Sequence, residues 1–235
     1  MDESAAVSAA PVIAIDGPSG SGKGTISRRV ADRLGWHLLD SGALYRLVAL
    51  GGQQTGLPAD DEGGHARLAA QMVVAFGTMP DGGEQVLLGA DRKDVTALIR
   101  SEQAGAGASR VAAWPVVRAA LLTRQRGLAR PPGLVADGRD MGTVVFPGAN
   151  LKIYLTASAE ERARRRYNQL KDKGSGASLA ALSREIAERD RRDTTRTVAP
   201  LRPAADAVII DSTHLGIDQV VEQVLREAGA RGFSG

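Results

Sequence analysis

The stretch Gly17-Pro18-Ser19-Gly20-Ser21-Gly22-Lys23-Gly24-Thr25 leaves little choice of local fold. It follows the apolar run Val12-Ile13-Ala14-Ile15 and precedes a helical pattern over 26–34. Strand, glycine-rich loop, lysine and helix, in that order, wrap backbone N–H groups around a phosphate. The helix N-terminus adds partial positive charge and Lys23 adds a full one. The spacing G-x-x-x-x-G-K is met, but Gly24 stands where most such loops carry Ser or Thr, and Thr25 comes one later. A glycine-rich turn with a chance lysine is the bland alternative, and the flanking strand and helix argue against it.

The G-K-G-T ending points away from motor ATPases and GTPases and toward small kinases that phosphorylate nucleotides. A chain of 235 residues can build one core of moderate size with an inserted subdomain. At 43% hydrophobic and 24% charged it is globular. Without cysteine it has no disulfide, thiolate metal site or cysteine nucleophile, and His37, His65 and His214 are too scattered to suggest a metal cluster. The net charge of +3 suits an anionic substrate only weakly. Residues 160–196 hold 11 of the 30 Lys and Arg, so a nucleotide-responsive RNA-binding protein is a rival reading. Aromatic content of 3% and interleaved acids argue against that rival and against a base-stacking platform. Residues 1–10 lack the basic and apolar regions of a signal peptide, and no apolar run nears the roughly 18 residues of a membrane span. The expectation is a cytoplasmic protein that binds neither membrane nor nucleic acid.

Short apolar runs alternate with helical patterns, which predicts α/β architecture: a parallel sheet flanked by helices. Five core strands are expected at 12–15, 37–39, 134–136, 152–155 and 207–210. Asp16, Asp40 and Asp137 stand at strand ends, where open α/β sheets bind ligands. Residues 60–107 break the alternation. A helix at 65–73, runs at 74–76 and 86–88 across the turn Asp81-Gly82-Gly83, and a short strand near Asp94-Val95 predict a small α+β insertion. The core then comprises 11–59 and 108–228, with tails at 1–10 and 229–235. Residues 109–130 read as mostly helical, with Pro115 a start or a kink. Ser158 and Glu161 form a capping-box signal for a helix bearing Arg162, Arg164, Arg165 and Arg166. After a turn at 173–176 comes a charged helix with Leu179, Leu182 and Ile186 inward, and 228–235 reads as a frayed end.

Phosphoryl transfer needs phosphates held in line and their charge neutralised by Lys, Arg and a metal. Arg189, Asp193 and Arg196 are spaced i, i+4, i+7, one face of a helix. Arginine forks there can take phosphate or sugar oxygens, and the carboxylate can take sugar hydroxyls; a solvated ion-paired face is the alternative. Asp137-Gly138-Arg139-Asp140 follows the third strand. Asp137 there can order waters around Mg²⁺ beside the loop, against the alternative of simple turn chemistry. Ser41 follows the second strand and can cap the next helix, whose N-terminus also suits an anion. The histidines have no expected catalytic part.

These residues resemble the bacterial cytidylate kinases, a family of nucleoside monophosphate kinases. The matching stretches are 15–25, then Leu38-Leu39-Asp40-Ser41-Gly42-Ala43-Leu44-Tyr45-Arg46, then 137–147 (DGRDMGTVVFP), then Glu188-Arg189-Asp190 through Ala199-Pro200-Leu201. The likeness covers about 12–225. It implies a five-stranded P-loop core, a monophosphate-binding subdomain at 60–107 and a short helical lid at about 158–196 that includes Arg162 to Arg166. It implies ATP and Mg²⁺ as cofactors and transfer of a phosphoryl group to CMP or dCMP, as part of pyrimidine metabolism. Gly17, Ser19, Gly20, Ser21, Gly22, Lys23, Gly24 and Thr25 would hold ATP, with Thr25 and Asp137 holding Mg²⁺ through water. Ser41 would bind substrate. Arg46, Arg139 and Arg196 would hold the acceptor phosphate and the group in flight, with Lys23, Arg139 and Arg196 catalytic. Ser109, Arg118 and Asp140 would read cytosine, and Arg189 and Asp193 would contact the sugar. Partners are small nucleotides only, and the enzyme is expected to act as a monomer. A kinase for UMP or AMP is the nearest rival.

Overall fold

The computed structural model describes residues 10–78, 84–171 and 178–233. The tail 1–9, the turns expected at 81–83 and 173–176, and residues 234–235 lie outside them. The chain divides into two compact units, Met1–Leu39 with Gln125–Gly235, and Asp40–Arg124.

Strand β1 (Val12–Asp16) is buried at every position and runs into the glycine loop and helix α1 (Lys23–Leu34), which β2 (His37–Asp40) follows. Then come α2 (Ser41–Gln54), α3 (Glu62–Gln71), β3 (Val74–Thr78), β4 (Glu84–Leu88) and β5 (Lys93–Asp94). Helices α4 (Thr96–Ile99), α5 (Glu102–Val111) and α6 (Pro115–Arg126) complete this stretch. The chain continues through β6 (Leu134–Gly138), a π-helical turn at Met141–Val145, and β7 (Leu151–Thr156). It ends with α7 (Ala159–Lys171), α8 (Leu179–Thr195), β8 (Val208–Asp211) and α9 (Ile217–Gly229).

The first unit is built on a five-stranded parallel sheet in the order β2-β6-β1-β7-β8. β1 and β6 are buried throughout and apolar up to Asp16 and Asp137, because both faces of a central parallel strand are covered. Helix α1 turns Ile26, Val30, Ala31 and Leu34 inward, and α9 turns Val220, Val221, Val224 and Ala228 inward. Together with Ile13, Ile15, Ile153 and Leu155 they form one core. Each of the Val, Leu and Ile side chains contributes roughly 1.5–3 kcal/mol on burial. The register sets Ile15 against Asp137 and Asp16 against Gly138, so the loops after β1 and β6 leave the sheet side by side.

Three local expectations are corrected in this unit. Leu182 and Ile186 of α8 are buried, but Leu179 is 45% exposed, because it stands in the first turn, ahead of the packed face. Arg196 is not on the helix face with Arg189 and Asp193: α8 ends at Thr195, and Arg196 is its extended C-cap. The described part of the C-terminal end is not frayed. The Phe233 N–H bonds to Ala228 O at 3.0 Å, and its ring meets Trp36 edge-on at 5.3 Å.

The second unit contains the stretch 60–107 together with α2 and most of α6. Its β3, β4 and β5 form an antiparallel sheet in that order. Helix α2 packs along α5, where Gly107 lets Ala49 approach closely. Helices α2, α3 and α5 start on side-chain caps: Asp40 takes Ala43 N–H, Asp61 takes Gly64 N–H and Ser101 takes Ala104 N–H. The cap of α2 is therefore Asp40; Ser41, expected there, is the first helical residue and is buried.

Candidate active site

The loop after β1 is shaped by what it must pass. A Cβ on Gly17 would lie 2.0 Å from Leu155 O of the neighbouring strand, so only glycine fits. Gly22 caps α1 with φ of 92°, and α1 has no capping side chain and no acid in its first turn. Its first N–H groups are thereby left to an anion.

Lys23 is buried and donates to Pro18 O at 2.9 Å, across the loop. Burial draws its pKa down to about 7, and the charge of Arg139 adds to this, as does that of Arg189; Asp137 and Asp16 oppose. Several cations thus press on one spot beside the loop. Asp137 lies against the loop's end: a Cβ on Gly24 would stand 3.5 Å from Asp137 Oδ2. A carboxylate there, with the Thr25 hydroxyl near the start of α1, is a hard-oxygen donor set that fits Mg²⁺ retaining much of its water.

Arg139 leaves the end of β6 and meets α8. Its Nε donates to Asp193 Oδ2 at 2.9 Å, and Nη1 donates to Gly138 O at 3.3 Å. Burial works hardest against its charge, but Asp193 with Asp137 and Asp16 together outweigh it, and its pKa stands above the ordinary arginine value. Asp140 is buried with Arg196 Nη2 3.9 Å from its Oδ1. The first unit therefore gathers Lys23, Asp137, Arg139, Asp140, Arg189, Asp193 and Arg196 around the ends of β1, β6 and α8.

In the sequence Asp16 is a strand-end aspartate and part of the 15–25 stretch, with no role attached. The structure gives it a definite task. Its Oδ1 accepts from Met141 N–H and its Oδ2 from Gly142 N–H, both at 2.8 Å. Burial raises its pKa to about 6, against the pull of those two bonds. The π-turn it anchors directly follows Arg139 and Asp140.

The remaining sequence-derived residues lie in the second unit. Arg46 Nη1 donates to Ile99 O at 3.1 Å. Arg118 on α6 is buried, donates to Ala112 O at 3.2 Å, and sits 5.7 Å from the Tyr45 ring centroid. Ser41 heads α2 and Ser109 is half-buried on α5. In the stretch expected to form the lid, Arg164 is 67% exposed, while Arg162 is buried and paired with Asp190, an acid that spacing had not singled out.

The profile of the Cytidylate kinase family matches residues 13–230. The chain belongs to the cytidylate kinase family. It is 58% identical over 227 residues to a cytidylate kinase of Pseudomonas savastanoi pv. phaseolicola, covering 96% of this chain and 98% of the relative. Likeness to the cytidylate kinase of Pseudomonas fluorescens Pf-5 is 59% over 227 residues, with the same coverage. For that of Azotobacter vinelandii it is 57% over 225 residues, covering 95% of this chain and 97% of the relative. The chain is thus a nucleoside monophosphate kinase, a phosphotransferase of P-loop type. Among the described residues, no helix is long and apolar enough to cross a membrane.

Proposed function

We propose that the chain transfers the γ-phosphoryl group of ATP to CMP and dCMP, giving ADP with CDP or dCDP. The observation that supports this is Lys23 bound across the phosphate loop to Pro18 O, with Asp137 against the loop's end and Arg139 fixed by Asp193 close enough for its charge to act on Lys23. An oxygen of the acceptor phosphate attacks the γ-phosphorus, and the bond from that phosphorus to the β–γ bridging oxygen breaks. ADP departs with that electron pair. The acceptor is already ionised at neutral pH, so no general base is needed. Lys23 and the loop N–H groups of 17–25 hold the ATP phosphates. Arg139, Arg196 and Arg46 hold the acceptor phosphate and the charge that develops in flight. Thr25 and Asp137 hold Mg²⁺ through water, which supplies charge neutralisation at the phosphates.

Cytosine presents an amine at position 4 and acceptors at N3 and O2. Asp140 accepts from the amine, and Arg118 and Ser109 serve the acceptors. Uracil turns position 4 into an acceptor facing a carboxylate, a mismatch of on the order of 1–3 kcal/mol. Arg189 and Asp193 contact the sugar, and Ser41 the substrate phosphate. In this reading 60–107 is the monophosphate-binding insertion and 158–196 the lid, both closing to exclude water. The enzyme acts as a cytoplasmic monomer in pyrimidine metabolism.

ADP formation from MgATP with CMP, dCMP, UMP and AMP in turn tests the proposal. Turnover of CMP and dCMP far above the other two is expected. A preference for UMP or AMP would overturn the base assignment, and no turnover of any would overturn the reaction.

A further inference from the structure

Three carbonyls of the phosphate loop are each met by a cation. Pro18 O accepts from Lys23 Nζ at 2.9 Å, Ser19 O from Arg162 Nη1 at 3.0 Å, and Ser21 O from Arg165 Nη1 at 3.4 Å. The two arginines are three residues apart on α7, on the side that faces the loop. A Cβ on Gly20 would lie 3.1 Å from Arg162 Cβ, so the loop rests directly on this helix. A trans peptide is planar, so its C=O and the following N–H point in opposite directions. Holding Ser19 O therefore aims the N–H of Gly20, and holding Ser21 O aims the N–H of Gly22. Both glycines have positive φ, 77° and 92°, and lack the side chain that would resist a flip of the preceding peptide.

The arginines are themselves held. Arg162 is 5% exposed, and its Nε donates to Ala157 O at 3.0 Å. Its two terminal nitrogens fork onto Asp190 of α8, Nη1 at 3.0 Å and Nη2 at 2.6 Å. Arg165 Nε donates to Glu161 at 2.9 Å, and its terminal nitrogens reach Ser212 Oγ and Ser212 O beyond β8. A guanidinium can serve the loop carbonyl and these anchors together because its donors are fixed in one plane; an ammonium cannot.

We propose that Arg162 and Arg165 are positioning residues of the phosphate loop, acting on bound ATP through the peptide planes of 19–20 and 21–22. This rests on the reading that 17–25 holds the ATP phosphates. The test compares Arg162→Lys, Arg165→Met and Asp190→Asn by KM for ATP, KM for CMP and thermal midpoint. Arg162→Lys and Arg165→Met should each raise the KM for ATP by about tenfold, the scale of a misplaced binding group. Arg165→Met should leave the KM for CMP within about twofold. Asp190→Asn lowers the midpoint but keeps the Ser19 bond, and should leave the KM for ATP within about twofold. If Arg162→Lys does not fold, Arg165→Met reads the same effect from the other carbonyl. An unchanged KM for ATP in the arginine variants that fold, or a KM that rises in step with lost stability across all three, would overturn the proposal. Wild-type protein that does not bind ATP would remove the reading beneath it, and the proposal with it.

Discussion

Lys23 is the residue on which most of the electrostatics turns. Its folded pKa of about 7 lies below the ordinary 10.5, chiefly through burial and then through Arg139. A depressed folded pKa contributes stability that is full above about 10.5 and lost as pH falls through about 7. Lys23→Met should therefore stabilise the ligand-free protein, by about 1–3 kcal/mol at pH 6 and less at pH 9, as read by thermal unfolding. Phosphates placed beside Lys23 favour its charged form and lift its pKa. Binding of MgATP at pH 8 should then take up a fraction of a proton, measured by calorimetry in buffers of different ionisation enthalpy. Proton release, or none, would show that Lys23 does not meet the phosphates. Asp140 carries the other residue-scale prediction. Asp140→Ala should shrink the ratio of kcat/KM for CMP over UMP by about tenfold or more; an unchanged ratio removes it from base recognition.

At the scale of elements, the same residue spacing was legible in some places and not in others. Strands β1 and β6 show in the sequence because buried parallel strands are apolar runs, here up to Asp16 and Asp137, bounded by turn residues. The π-turn at Met141–Val145 did not show, because it is specified by Asp16, 125 residues earlier in the chain. The face of α8 was read one residue too far, since Arg196 N–H still bonds to Arg192 O and only the backbone turn separates it from the helix. Arg162 sits among Arg164, Arg165 and Arg166 in the sequence, and charge alone does not reveal its buried fork onto Asp190. The C-terminal end read as loose because one phenylalanine carries no periodicity. Phe233→Ala should cost about 1–3 kcal/mol of stability through the lost contact with Trp36, measured by urea unfolding. An end that is frayed in solution would give no change.

On the scale of the molecule, the two units each show their own logic. One is a parallel sheet whose central strand delivers the phosphate loop, with the site cations set at neighbouring strand ends by register. The other is an α+β unit whose helices α2, α5 and α6 carry Arg46, Ser109 and Arg118. The motifs named every residue of the first cluster, and Asp16 as well, because strand ends and loops keep their chemistry local in sequence; the task of Asp16 in holding 141–142 was not legible. What they did not contain is the framework behind the loop, which is assembled from α7, α8 and the chain after β8. The proposed chemistry depends on arginine charge neutralising the phosphoryl group in flight, with Arg139 at its centre, tied to Asp193 and pressing on Lys23. The most direct measurement is kcat for CMP in Arg139→Lys, with folding checked by circular dichroism. A fall of about 10²-fold or more is expected, because an ammonium cannot serve both Asp193 and the transferring group. A kcat within twofold of wild type in a folded variant would contradict it.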